Sequence, residues 1–148
     1  AALLVVAIDD REKINELVRH VVKHHPHVHV MARARDRDHV YDLWAYGCRD
    51  IIRETYDSSL RMGRSAYQAL GIPEDRAQSM VDHFNAYDRR AMVAVADTHK
   101  VGVPPHENDD YVNRVKHLVE NMQPQLEAEL AALRAGEKLD EEQIVKPT

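Results

Sequence analysis

The chain reads as an α/β protein: a parallel sheet of three strands followed by long amphipathic helices. Three observations predict it. The chain opens on a Val-rich apolar run, Ala1–Ile8, that ends abruptly in Asp9-Asp10. Two further short apolar runs, 27–33 and 50–53, alternate with stretches of helical period. From Tyr56 onward only the 3.6-residue period remains.

The elements follow in order. Ala1–Ile8 is continuous in apolar residues, which predicts a strand buried on both faces. Asp9 or Asp10 is placed to cap the next helix, with Glu12 putting negative charge on its first turn. Ile14, Leu17, Val18, Val21 and Val22 form that helix's apolar stripe, and Pro26 stops it. His27–Arg33 is the second strand, with Val28, Val30 and Ala32 on one face. Asp36 caps a second helix carrying Val40, Leu43 and Trp44, and Gly47 closes it in the left-handed position after the last turn. Asp50–Arg53 is a third strand. Short connections between apolar strands make parallel, right-handed crossovers the expectation.

The remainder is helical. Tyr56, Leu60, Gly63, Tyr67 and Leu70 line up on one face, Gly71 ends that helix and Pro73 opens the next. Gly63 costs about 1 kcal/mol against Ala, which predicts a close backbone contact to offset it. Ala77, Val81, Phe84, Asp88, Ala91 and Val95 share the next helix face, with an acid in the middle of an apolar stripe. After a loop with Pro104-Pro105 comes a last helix through Val115, Leu118, Met122, Leu126, Leu130 and Leu133, kinked at Pro124. From Gly136 a tail without periodicity follows. Three strands with two open edges and this much apolar stripe predict a partner: a second copy, further parts of the domain, or both.

Composition narrows the function. The 148 residues carry 44% hydrophobic and 30% charged side chains and a net charge of −5, a globular profile. The first hundred residues are neutral, with fifteen basic and fifteen acidic groups, and the last forty-eight hold the whole net charge of −5. That distribution argues against nucleic acid. The longest apolar run is eight residues, against the about 20 that span a bilayer. Five glycines, none grouped into a phosphate-cradling loop, are about half the usual ~7%. With no initiator Met and a start inside an apolar run, the chain is expected to be a piece of a longer protein.

Ligands of parallel sheets gather at the carboxyl ends of the strands. Here those ends are Ile8-Asp9-Asp10, Arg33-Ala34-Arg35-Asp36 and Arg53-Glu54, and seven arginines against six acids between 33 and 64 make this the anion-facing stretch. Histidines 24, 25, 27 and 29 invite a metal reading, but they straddle Pro26 with no cysteine nearby and lack metal-site spacing, so no metal is expected. The single Cys48 reads as a small hydrophobe, with a low-pKa thiol beside Arg49 as the alternative. Trp44, Tyr41 and Tyr46 read as packing groups, while Tyr87 is placed to shelve a ligand beside Asp88.

The segments Ala7–Asn15 (AIDDREKIN), Met31–His39 (MARARDRDH) and Arg53–Gly63 (RETYDSSLRMG) carry a family resemblance, without gaps from about Ala1 to about Ala96. They resemble the second half of the cytoplasmic nucleotide-binding regulatory domain (RCK, KTN or TrkA-N) of Kef-type potassium–proton antiporters. The resemblance implies the second half of a Rossmann-like sheet followed by long dimerising helices, with the glycine-rich loop upstream. It divides the chain into a half-Rossmann part with the first dimerisation helix (1–72), a second dimerisation and effector helix (73–100) and an acidic helical extension (101–148).

The implied function is non-enzymatic: ligand sensing at a homodimer interface that controls potassium efflux through a membrane antiporter domain on the same full-length chain. Glutathione or an adduct is the implied effector, at Asp36, Arg53, Asp57 and Asp88. A nucleotide, NAD(H) or AMP, is the implied cofactor of the full-length domain, near Asp9, Asp10 and Arg33. A quinone-oxidoreductase-like ancillary subunit and a place on the cytoplasmic face of the bacterial inner membrane belong to the same picture. Asp88 departs from the family pattern, which has asparagine there, and an acid that only accepts hydrogen bonds would repel an anionic tripeptide. It is expected to pair with an arginine, Arg53 or one from a second copy. A nicotinamide-dependent dehydrogenase half-domain and a purely structural dimerisation module are the alternatives.

Overall fold

The computed structural model describes residues 1–139. Among them the order is β1 (Leu3–Val6), α1 (Arg11–His24), β2 (His29–Ala34), α2 (Arg37–Ala45), β3 (Asp50–Arg53), α3 (Tyr56–Ala69), α4 (Glu74–Ala96), a short 3-10 turn (Pro105–Glu107), α5 (Asp109–Asn121) and α6 (Gln123–Ala135). The α/β class with a three-stranded parallel sheet is as the sequence predicts. Residues 140–148, the end of the expected acidic tail, lie outside the described residues.

The chain forms two compact units. The first comprises Ala1–Asp57 and His99–Asn108, and the second Ser58–Thr98 and the residues from Asp109 on. The sequence-based division instead set its boundaries after residues 72 and 100.

In the first unit the sheet runs β1-β2-β3, with Val6 beside Ala32 and Ala34 beside Arg53. Because side chains alternate across a strand, Val30, Ala32 and Ala34 face one way. They meet Ile14 and Val18 of α1, Leu43 of α2, Val6 and Cys48 in one core. Both crossover helices therefore cover the same face. The expectation that β1 is buried on both faces fails: Leu3 and Val5 are 52% and 56% exposed, because β1 is an edge strand and its other face has no cover among the described residues.

The helix ends obey local rules. Asp10 caps α1 by accepting from the Lys13 N–H, and Asp36 caps α2 by accepting from the His39 N–H. Gly47 follows α2 with φ +96°, a conformation that side chains disfavour. Two expectations are corrected here. Trp44 is exposed rather than packed inside, its ring lying under the Arg49 guanidinium at 4.1 Å. Gly63 has no atom within 4 Å of where a Cβ would stand, so no close contact among the described residues offsets its cost.

In the second unit Ile72, Ala77 and Met80 form a small core with Tyr67, Leu130 and Leu133. The α4 stripe is buried as expected at Ala77, Val81, Asp88, Ala91 and Val95, while Phe84 is exposed. The expected last helix is two helices: α5 ends at Asn121, and Pro124 sits in the first turn of α6. His83 of α4 pairs with Glu129 of α6, both nearly buried.

Candidate functional site

The carboxyl ends of the three strands carry a continuous charged edge. Arg33, at the end of β2, pairs with Asp9 and donates to the Ile8 carbonyl at 3.1 Å. Arg35 donates to the Asp9 carbonyl at 2.7 Å and lies 3.3 Å from Glu54, just past β3. The two arginines thus stitch β1, β2 and β3 together where the sheet opens. The three residues expected near a nucleotide behave differently: Asp9 and Arg33 meet as an ion pair, whereas Asp10 is occupied as the α1 cap. The Lys13 N–H that it accepts lowers the Asp10 pKa.

The residues expected to hold the effector fall into both units. The sheet register sets Arg53 beside Ala34, two residues before Asp36. The Arg53 guanidinium lies over the Tyr56 ring, 3.5 Å from its centroid, a cation–π contact that fixes the direction of the fork. Asp57 follows in the first turn of α3 and is exposed. Asp88 belongs to the second unit, buried midway along α4. Tyr87 lines a cavity of about 120 Å³ there with Arg90, Met122 and Leu126.

Behind this edge lies a polar cluster that sequence reasoning missed. Arg11, the first residue of α1, donates to Asp38 at 2.8 Å and Asp42 at 2.7 Å and stands 3.7 Å from Asp36. Burial pulls the Arg11 pKa down, but the hydrogen bonds to Asp42 and Asp38 outweigh it and the net shift is upward. The other Asp42 oxygen accepts from His99 Nε2–H at 2.7 Å. The only hint in the sequence is that 36, 38 and 42 place three acids on one turn and a half with Arg11 just after β1. Nothing marks His99, 57 residues away from Asp42.

His39 lies next to this cluster, fully buried. Its Nδ1 accepts the Arg35 N–H at 3.0 Å and its Nε2–H donates to Asn15 Oδ1 at 3.0 Å. Only the neutral ring satisfies both bonds. Burial first, and then the positive charge of Arg11, push its pKa below the ordinary 6.5.

Cys48 is buried in the core, and burial pushes its thiol pKa up, which fits a small hydrophobe. The His20, His24, His25 and His27 rings lie near one another, and His29 pairs with Asp50. Among the described residues no group of three or more His, Cys, Asp or Glu is placed to hold a metal ion. No helix among them is long and apolar enough to cross a membrane.

A parallel sheet with charged strand ends, running into long helices, defines the class: an α/β protein with a Rossmann-like parallel sheet. The comparisons specify it further. The family model described as the potassium efflux system KefB C-terminal domain matches residues 58–143. The glutathione-regulated potassium-efflux system protein KefC of Cronobacter sakazakii is 37% identical over 97 residues, covering 66% of this chain and 16% of the relative. That of Salmonella paratyphi B is 36% identical over 96 residues, covering 65% and 16%. The solved structure described as Shewanella denitrificans Kef CTD in AMP bound form is 36% identical, with a TM-score of 0.64, over 66% of this chain and 61% of that one.

The chain belongs to the KefB C-terminal domain family. It spans about a sixth of the length of the curated relatives it matches. The family match runs past Lys100, beyond the stretch from about Ala1 to about Ala96 on which the resemblance was read.

Proposed function

We propose that this chain is part of a cytoplasmic, ligand-sensing regulatory domain of a potassium efflux antiporter, without catalytic activity of its own. Two copies associate through the helices after the sheet, and an anionic peptide of the glutathione class binds at Asp36, Arg53, Asp57 and Asp88. A nucleotide such as AMP or NAD(H) binds the complete domain, with Asp9, Asp10 and Arg33 on its side of the sheet edge. Binding biases one arrangement of the two copies, and that bias reaches a membrane pore on the same full-length chain at the cytoplasmic face of the inner membrane. An ancillary subunit resembling quinone oxidoreductases completes the assembly.

The observation that carries this reading is Arg53. It stands at the carboxyl end of a parallel strand, its fork oriented by Tyr56 and its strand neighbour two residues from Asp36. A guanidinium so held bonds both oxygens of a peptide carboxylate. Asp36 and Asp57 are acceptors suited to an ammonium or amide N–H. The name of the relatives, glutathione-regulated, and the AMP-bound form of the solved relative favour the two ligand classes.

Titration calorimetry with glutathione, an S-substituted glutathione and AMP tests it. Arg53→Ala is expected to weaken peptide binding at least about tenfold, the loss of a charge-assisted bidentate bond. Asp88→Asn is expected to raise the affinity for glutathione, since asparagine donates as well as accepts. Failure of glutathione and its adduct to bind either the native chain or Asp88→Asn rejects the peptide site.

A further inference from the structure

We propose that Arg11, Asp42 and His99 form a clasp that ties the connection between α4 and α5 to the α2 end carrying Asp36. Arg11 thereby acts as a positioning residue for the effector site. The proposal rests on the reading of Asp36 as an effector contact for its consequence, and on geometry alone for the clasp.

The connection, His99–Asn108, packs with the first unit although the helices on either side of it belong to the second. Its two ends are buried against the first unit. His99 has a side chain only 6% exposed, bonded to an Asp42 side chain only 10% exposed, and its ring stands 5.6 Å from that of Tyr41. Asn108, at the far end, is buried too. Between them Val101 and Val103 are exposed and Gly102 has φ +80°. The backbone bonds there are local turns, Val103 N–H to Lys100 and Glu107 N–H to Pro104. A cavity of about 370 Å³, lined by Arg11, Asp42, Tyr46, Val101, Val103 and Pro104, lies at the segment's middle. A stretch of chain that borders this cavity and is held at its head by the His99–Asp42 bond is a strap.

The charges show how the strap connects to the site. One guanidinium serves three carboxylates, those of Asp36, Asp38 and Asp42. Asp42 divides its oxygens, Oδ2 to Arg11 and Oδ1 to His99. A ligand cation or N–H taken up by Asp36 competes with Arg11 for that carboxylate and leaves Arg11 to Asp38 and Asp42 alone. The hold of Asp42 on His99 changes in turn, because both partners draw on the same buried carboxylate. Thr98, next to His99, is the last residue of the stretch that packs in the second unit, so a shift of His99 reaches that stretch through the peptide bond to Thr98, two residues past the end of α4.

Hydrogen exchange read by mass spectrometry on the 148-residue chain tests this, with peptides covering 99–108. His99→Ala is expected to speed exchange of the bonded Val103 amide at least tenfold with α1 and β2 unchanged, and His99→Gln, which still donates to Asp42, to retain most of that protection. Arg11→Gln is expected to speed the same amide, and the double variant Arg11→Gln/His99→Ala to go no faster than the faster single one. Unchanged exchange in His99→Ala, or effects of Arg11 and His99 that simply multiply, overturns the clasp. Added glutathione is expected to alter exchange in 99–103 in the native chain and not in His99→Ala. Binding that leaves the native 99–103 amides unaltered overturns the coupling, whereas absence of binding by the native chain counts against the effector reading and leaves the clasp to be decided by the variants.

Discussion

His39 shows how a single buried side chain sets a pH limit on this fold. Its ring must be neutral to accept from Arg35 and donate to Asn15, and burial beside Arg11 lowers its pKa. The unfolded chain takes up that proton near pH 6.5 while the folded one does not. The contribution of His39 is therefore complete above about pH 6.5 and is lost as pH falls toward the folded pKa. Thermal denaturation should show a steeper loss of Tm between pH 7.5 and 5.5 for the native chain than for His39→Gln, which itself costs about 1–3 kcal/mol at pH 7.5. Parallel decline of the two would show that His39 does not titrate in this way. At this scale legibility depended on sequence distance. The caps at Asp10 and Asp36 follow from a rule spanning three residues, and both are present. The partners of Arg11 and of His99 lie 27 to 57 residues away, and no periodicity points to them.

Among the elements, α3 buries none of its residues. Its Met62 and the Leu70 that follows it are among the most exposed apolar side chains, and Gly63 has nothing within 4 Å of where a Cβ would stand. A glycine in the middle of such a helix loses about 1 kcal/mol against alanine for no gain among the described residues. Gly63→Ala should accordingly raise the Tm of the dilute chain. If α3 is the face that meets a second copy, the added methyl should also weaken self-association in sedimentation equilibrium. A higher Tm with unchanged association would move the contact elsewhere. The apolar stripe on α3 was legible as a period, but a period marks a face and not what covers it. The same limit explains β1, whose run of apolar residues predicted two covered faces while the helices α1 and α2 supply cover for one. The break between α5 and α6 was foreseeable from Pro124, since proline lacks the N–H that the helix interior needs.

For the whole molecule, the order strand–helix–strand–helix–strand was readable because each step is announced by a cap, a proline or a glycine. The charged edge followed from a rule about parallel sheets. What the sequence did not announce is that the first unit is made of two separate stretches of chain. The family resemblance covered residues 1 to about 96, a stretch that ends just short of His99. A chain terminated at Ala96 keeps Asp38 and Asp42 with Arg11 alone and loses Asn108, so its first unit should melt at a lower temperature than the same unit in the full chain. Following the near-ultraviolet circular dichroism of the tyrosines and Trp44 would separate the outcomes: an unshifted first-unit transition would mean that the strap contributes no stability. Heredity faces the same constraint as the experimenter. A gene segment encoding the sheet and spliced after the third strand leaves behind the stretch that finishes the sheet's polar cluster, encoded beyond forty residues of helix, and so carries the sheet to a new partner without one of the contacts that hold it.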